Sequence, residues 1–447
     1  MKNTIYALST VFGKSGVAVI RVSGDHALDV ISQMTNIETL YLKPRHAYFS
    51  PIHSIVSRET LDHAVVLYFK APHSFTGEDS VEIQCHGSKA VLSSILDQLG
   101  RLPDFRLAEP GEFSKRAFYH NKMDLTEAEG LADLIDAETI EQQRYALRQL
   151  DGNLKNLYES WREELLSVYA WLEAFIDFPD EDIPVDVKHQ HLNTVFKLVS
   201  EMNEHLSTPN YGERLREGFR VVIAGPANAG KSSLMNALLN RQAVIVSEQE
   251  GTTRDAVDVN FDLGGYPVIF TDTAGIRNHT SDLIEKQGID IAMDKIRQAD
   301  IVLALFDGSC PIPEIFEKIK KESQNKVLYV ANKSDRLKDE QCSELKNKGC
   351  VLISAKEKTG LDDLFKTIEN EIKQQFTSSS SVLITRQRYR EAVLECVENL
   401  KNFNFEKEIE LAAEDIRLAA RALGKITGRF EVEEILDKIF GSFCIGK

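Results

Sequence analysis

The sequence predicts a multidomain protein: an N-terminal α+β domain, then an all-α helical domain into which an α/β domain is inserted. Three patterns lead to this. Short β-rich runs separated by turn residues fill residues 1–118. Apolar residues at three- and four-residue spacing mark residues 119–215, and helical stretches return over 378–447. Between them, residues 216–377 alternate strand-like and helix-like segments. A chain of 447 residues is too long for a single core, and about three domains of about 150 residues is the expectation.

In the first region Gly16–Val22 and Ala64–Phe69 read as strands bounded by turn residues, and Ala90–Leu99 reads as a helix. From Leu125 to about Phe178, Leu131, Leu134, Ile135, Leu165, Val168 and Leu172 recur at helical spacing. Phe178-Pro179-Asp180 and Ile183-Pro184 interrupt that pattern, and a further helix follows over Val185–Leu206. The inserted segment offers strands at Arg220–Ala224, Val268–Thr271, Ile301–Phe306, Val327–Ala331 and Val351–Ile353. Their alternation with helices predicts a parallel sheet covered on both faces. Thr377-Ser378-Ser379-Ser380-Ser381 reads as a linker, followed by helices over Arg386–Leu400 and Ile409–Leu423. The helical stretches flanking the insertion are expected to pack together.

Composition narrows the class. Hydrophobic content of 43% and charged content of 27% describe an ordinary soluble globular chain. No apolar run approaches the ~18 residues that cross a bilayer, so no membrane association is expected. Met1–Ile20 is broken by Ser9, Gly13, Lys14 and Gly16 and lacks a signal peptide's apolar centre. Six scattered cysteines without a C-x-x-C pair argue against a disulfide framework and a zinc site, and a cytoplasmic location is expected. A net charge of −16 excludes bulk attraction to nucleic-acid phosphates, so any RNA contact requires a local basic patch or a partner protein.

Gly225-Pro226-Ala227-Asn228-Ala229-Gly230-Lys231-Ser232 fits G-x-x-x-x-G-K-[ST], after a predicted strand and before the helical run that opens with Ser233. Glycines let the backbone curl so that consecutive N–H groups face phosphates at a helix N-terminus. Lys231 supplies charge to the β- and γ-phosphates, and the Ser232 hydroxyl can ligate Mg²⁺. Asp272-Thr273-Ala274-Gly275 follows another strand; its aspartate can hold Mg²⁺ through water, and its glycine N–H can sense the γ-phosphate. Asn332-Lys333-Ser334-Asp335 ends a third strand, where Asp335 can accept hydrogen bonds from guanine N1–H and the 2-amino group. Adenine lacks both donors and would leave that carboxylate unpaired. Ser354-Ala355-Lys356 can offer a backbone N–H to the guanine carbonyl. Each short motif is weak alone; in this order, at strand ends, they specify GTP.

Hydrolysis is less direct. Many small GTPases place a water-orienting glutamine after the aspartate-glycine turn, but here that residue is Ile276. Either the chain does not turn over or the group comes from elsewhere, and Glu285 is the candidate; it also reads as a solvated carboxylate at a helix start. Gly251-Thr252-Thr253-Arg254-Asp255 sits where a switch loop supplies a threonine to Mg²⁺, and also suits a helix cap.

Together Asn228-Ala229-Gly230-Lys231-Ser232, Gly251-Thr252-Thr253-Arg254-Asp255, Asp272-Thr273-Ala274-Gly275 and the terminal Phe443-Cys444-Ile445-Gly446-Lys447 closely resemble the bacterial tRNA modification GTPase MnmE (TrmE) family. The resemblance spans the chain, including Ser74-Phe75-Thr76-Gly77-Glu78-Asp79, Pro110-Gly111-Glu112-Phe113-Ser114, Ala117-Phe118, Asp133-Leu134-Ile135-Asp136-Ala137 and Ile176-Asp177-Phe178-Pro179-Asp180. It implies an N-terminal tetrahydrofolate-binding and dimerisation domain, an all-α helical domain built from both sides, and an inserted P-loop G domain.

The resemblance further implies K⁺-stimulated hydrolysis with G domains approaching across a homodimer. Asn228, Ser247, Gln249 and Thr252 would ligate K⁺, which can do the charge work of an arginine finger. Ser232 and Thr253 would hold Mg²⁺, and Ser247 and Gly251 would join the nucleotide site. Glu285 matches the water-positioning glutamate, with Lys231 as its catalytic companion. Arg21, Glu82, Lys122 and Lys447 would contact a folate derivative in its 5-formyl or 5,10-methylene form. The implied partner is FAD-dependent GidA (MnmG), in a heterotetramer or larger assembly that adds an aminomethyl or carboxymethylaminomethyl group to the wobble uridine of tRNA. That partner can supply much of the tRNA-binding surface.

Cys444 reads equally as a nucleophile or redox-sensitive thiol and as a small buried terminal residue. One departure is visible: Ala227 stands where the family commonly has proline, with Pro226 before it, which implies a less stiff loop. The competing readings are an Era-like GTPase in ribosome assembly, which should carry a basic RNA-binding module, and a binding switch with negligible turnover.

Overall fold

A computed structural model describes residues 3–178, 185–207, 210–239, 258–272, 293–322, 326–377, 383–430, 433–441, 443 and 445–446. Internal contacts divide the chain into two units. The first is Met1–Ala132, Gln149–Glu173 and Ile416–Lys447, and the second is Asp133–Arg148 and Ala174–Asp415.

The first unit is built on a six-stranded sheet of order β3-β4-β5-β2-β1-β6. Its strands are β1 (Thr4–Leu8), β2 (Ser15–Ser23), β3 (Ala47–His53), β4 (Thr60–Phe69), β5 (Ser80–Gly87) and β6 (Phe105–Leu107). Neighbours are antiparallel except β1 and β6. Alternation sets the faces: Ala18, Ile20 and Val22 of β2 and Val81, Ile83 and Cys85 of β5 enter one core with α1 (Asp29–Met34) and α2 (Lys89–Leu99). The intervening residues point the other way, and Arg21 stands directly opposite Glu82. On that second face, Phe113 of α3 (Glu112–Tyr119) packs with Ile5, Ala7 and Ala108. Leu125 and Ala128 of α4 (Leu125–Ile135) join Leu436, Phe440 and Phe443 in a further cluster.

The second unit contains α5 (Ile140–Leu150) over most of its length, α7 (Val185–Ser207), α8 (Tyr211–Glu217) and the α/β segment; α6 (Asn153–Asp177) runs through both units. As expected, helices from the two sides of the insertion meet: Cys396 Sγ lies 3.7 Å from Met202 Sδ of α7, and Arg390 donates to the Leu206 carbonyl at 2.8 Å. The predicted strands appear as β7 (Phe219–Ala224), β9 (Tyr266–Asp272), β10 (Ile301–Asp307), β11 (Lys326–Asn332) and β12 (Val351–Leu352). They are mutually parallel, with apolar clusters on both sheet faces.

One expectation is corrected. β8 (Asp258–Leu263) pairs antiparallel with β9, so the sheet, of order β12-β11-β10-β7-β9-β8, is mixed rather than all-parallel. The cause is local. Val259, Phe261 and Leu263 alternate with polar residues, and Gly264 and Gly265 turn the chain with φ of 62° and 93°. Among the described residues, no helix is long and apolar enough to cross a membrane.

Candidate functional site

The phosphate loop joins β7 to α9 (Lys231–Leu239). Its glycines are dictated by crowding. A Cβ on Gly225 would stand 2.0 Å from the Leu305 carbonyl oxygen, and one on Gly230, where φ is 95°, would stand 2.2 Å from Asn332 Nδ2. Asn228 also takes a left-handed φ of 64°. Lys231 Nζ donates to the carbonyls of Gly225 and Pro226 at 2.7 and 2.9 Å. Burial pushes its pKa down, against the opposing pull of Asp272. An ammonium partly stripped of water at a helix N-terminus, beside a backbone that admits no side chain, fits a phosphate chain.

Asn332 ties three loops together. Its Nδ2 donates to the Ala229 carbonyl at 2.8 Å, while its Oδ1 accepts from the N–H groups of Lys333 at 2.8 Å and Ala355 at 3.0 Å. Asp335 accepts from the Ser354 hydroxyl at 2.5 Å, which holds its carboxyl below the ordinary range while it stays exposed. A fixed, ionised, accessible carboxylate fits a donor edge such as that of guanine. Lys356 is exposed and lies 3.2 Å from Glu357.

Asp272 ends β9 and is buried, and Ser232 is the second residue of α9. A hydroxyl and a carboxylate form the hard oxygen set that Mg²⁺ prefers. Ser233 follows in the first turn of α9. Ser247, Gln249, Gly251, Thr252, Thr253, Thr273, Ala274, Gly275, Ile276 and Glu285 lie outside the described residues.

In the first unit, Arg21 and Glu82 form an ion pair at 3.0 Å. The guanidinium carbon of Arg21 lies 5.2 Å from the Phe75 ring centre and 5.7 Å from that of Phe113. Two described residues near the C-terminus reach the same unit: Ser9 Oγ donates to the Gly446 carbonyl at 3.0 Å, and Pro110 bridges Ile445. A cation, a carboxylate and aromatic faces suit a flat, polar-edged heterocycle such as a pterin. Lys122 is exposed, with its N–H bonded to the Ala117 carbonyl; Cys444 and Lys447 lie outside the described residues.

Comparison with known proteins decides the family. Residues 125–444 match the profile described as MnmE helical domain, and residues 4–122 match GTP-binding protein TrmE N-terminus. A Rickettsia bellii protein named tRNA modification GTPase MnmE is 45% identical over 445 residues, covering 99% of this chain and 100% of its own. The chain belongs to the MnmE (TrmE) family of tRNA modification GTPases. A Rickettsia prowazekii MnmE is 44% identical over the same span. Among solved structures, an Era variant of Aquifex aeolicus bound to GDP and aluminium fluoride is 25% identical, covering 42% of this chain and 68% of its own, with a TM-score of 0.28. The G domain of the T. maritima FeoB iron transporter is also 25% identical, covering 35% of this chain and 98% of its own, with a TM-score of 0.26.

In this MnmE-family chain the structure adds two features that motif reading misses. Phe75 and Phe113 flank Arg21, although neither belongs to a chemistry-bearing motif of the sequence. Asp307, at the end of β10, is bound to Lys333 of the Asn332-Lys333-Ser334-Asp335 loop at 2.7 Å. The sequence signal was its place as the last residue of an apolar strand neighbouring the motif-bearing ones.

Proposed function

We propose that this chain is a K⁺-stimulated GTPase acting with an FAD-dependent GidA (MnmG) partner. The pair would add an aminomethyl or carboxymethylaminomethyl group to the wobble uridine of tRNA. The observation that carries the reading is Asn332, which links the phosphate loop to both base loops in a chain of a tRNA-modifying GTPase family.

In this reading the loop N–H groups and Lys231 take the triphosphate, with Lys231 exchanging two backbone carbonyls for phosphate oxygens. Asp335 reads the guanine N1–H and 2-amino group, and a backbone N–H of Ser354-Ala355-Lys356 meets its carbonyl. Ser232 and Thr253, with Asp272 nearby, would hold Mg²⁺, and Asn228, Ser247, Gln249 and Thr252 would hold K⁺. When bound, these cations would supply positive charge against that developing between the β- and γ-phosphates. Glu285 orients the attacking water, a role that Ile276 cannot fill.

Arg21, Glu82, Lys122 and Lys447 bind the folate derivative, which supplies the single carbon. Residues 1–118 form the folate-binding and dimerisation domain, and 216–377 form the G domain. Residues 119–215 and 378–447 form the helical domain, in a cytoplasmic homodimer that meets the partner and tRNA.

The reading is tested by complementing a host strain lacking its own MnmE and analysing wobble nucleosides by mass spectrometry. The wild-type chain restores the modified uridine, and Lys231→Ala does not. Wild-type protein that is expressed and binds GTP but restores nothing would refute the tRNA assignment.

A further inference from the structure

We infer that Asp307 is a positioning residue of the base site, clamping the Lys333 side chain so that its stem forms a preset wall for the nucleobase. The inference rests on the guanine-site reading above and deepens it.

Asp307 is the register partner of Asn332 across the β10–β11 pair, so strand pairing places its carboxylate beside the base loop. Gly308 strengthens the join by donating its N–H to the Asn332 carbonyl at 2.8 Å. Every polar atom of the Asp307 carboxylate is engaged. Oδ2 accepts from Lys333 Nζ at 2.7 Å, and Oδ1 accepts from the Ser309 N–H at 3.0 Å and its hydroxyl at 2.7 Å. The Lys333 bond, helped by those of Ser309, holds the carboxyl down at about 2, so the clamp stays charged at any working pH. Lys333 is held at the backbone too, with a left-handed φ of 62° and its N–H on Asn332 Oδ1.

A free lysine side chain samples many rotamers, and fixing it against a ligand has an entropic cost. Here the far end is already tethered, so a base laid against the stem does not bear that cost. The tethered ammonium is also neutralised by its partner and adds little to the field at the phosphates. The clamp should therefore act on the part common to GTP and GDP, and barely on the reacting phosphate.

The test uses the full-length protein with fluorescent GDP and a non-hydrolysable fluorescent GTP analogue as probes. Asp307→Asn should weaken both by a similar factor, about three- to tenfold, and raise KM for GTP with kcat at saturation within twofold. Asp307→Glu should recover part of the loss. In a Lys333→Met background, Asp307→Asn should have no further effect, which a merely structural role for Asp307 would not produce. Unchanged affinity for both probes, a fall in kcat at unchanged KM, or a full additive loss in the double variant would overturn the inference. Wild-type protein that binds neither probe would instead overturn the guanine-site reading and the inference with it.

Discussion

Asn332 Nδ2 donates to the carbonyl of Ala229, 103 positions earlier in the chain and 2.8 Å away. That one amide fastens the loop that would grip the base to the loop that would grip the phosphates. Its oxygen meanwhile accepts two further backbone N–H groups, and the side chain is buried. Replacing it by alanine leaves a carbonyl and two N–H groups without their partner, and each unmatched buried group costs about 1–3 kcal/mol. Asn332→Ala should lower the unfolding midpoint in denaturant and weaken GDP binding more than tenfold. Equilibrium unfolding and nucleotide titration of the same preparation check both effects.

In the proposed function base choice rests on Asp335. Its carboxylate offers only acceptors, matched to the N1–H and amino group of guanine. An asparagine there presents a donor, which meets the 2-carbonyl of xanthine and leaves the guanine amino group unmatched. Asp335→Asn should reduce GTP affinity by at least about a hundredfold and confer measurable XTP turnover. Retained GTP preference would remove Asp335 from the base site.

The first unit depends on a buried charge network. Glu112 accepts from Arg106 through both oxygens, at 2.6 and 2.8 Å, from Arg116 at 3.1 Å and from the Glu109 N–H at 3.0 Å. Arg116 also reaches both oxygens of Glu78, at 2.9 and 3.1 Å. Glu112 and Arg116 side chains are only 4% and 3% exposed, so removing one charge strands the other. Glu112→Gln should cost about 3–5 kcal/mol.

Burial raises the Glu112 carboxyl pKa, but the bonds from Arg106, Glu109 and Arg116 outweigh it and hold the carboxyl below the ordinary glutamate range. A depressed folded pKa means the unfolded chain binds the proton first. The contribution is therefore complete above the unfolded value and is lost as pH falls through the folded one. Wild-type stability should drop below about pH 4.5, and Glu112→Gln should flatten that part of the profile, as denaturant midpoints across an acid pH series will read out.

Much of this was legible in the sequence, for a physical reason. A phosphate loop needs glycine where Gly225 and Gly230 meet Leu305 and Asn332, so the requirement is written into consecutive residues. The predicted parallel strands were legible because strands buried on both sides are continuous apolar runs, as Ile301–Phe306 is. β8 escaped because its face alternates and its pairing depends on the Gly264-Gly265 turn. Asp307 and Lys333 are 26 residues apart, and only the β10–β11 register brings them together. Arg21 and Glu82 are likewise joined by register, so resemblance, not spacing, pointed to them.

In the proposed mechanism a monovalent cation takes the place of an arginine finger. GTP turnover of the purified wild-type chain in KCl and in NaCl at equal ionic strength, with Asn228→Ala alongside, measures this. Turnover should be at least about tenfold faster in KCl, with that advantage lost in Asn228→Ala. Equal rates in the two salts, or an undiminished K⁺ effect in Asn228→Ala, would contradict it.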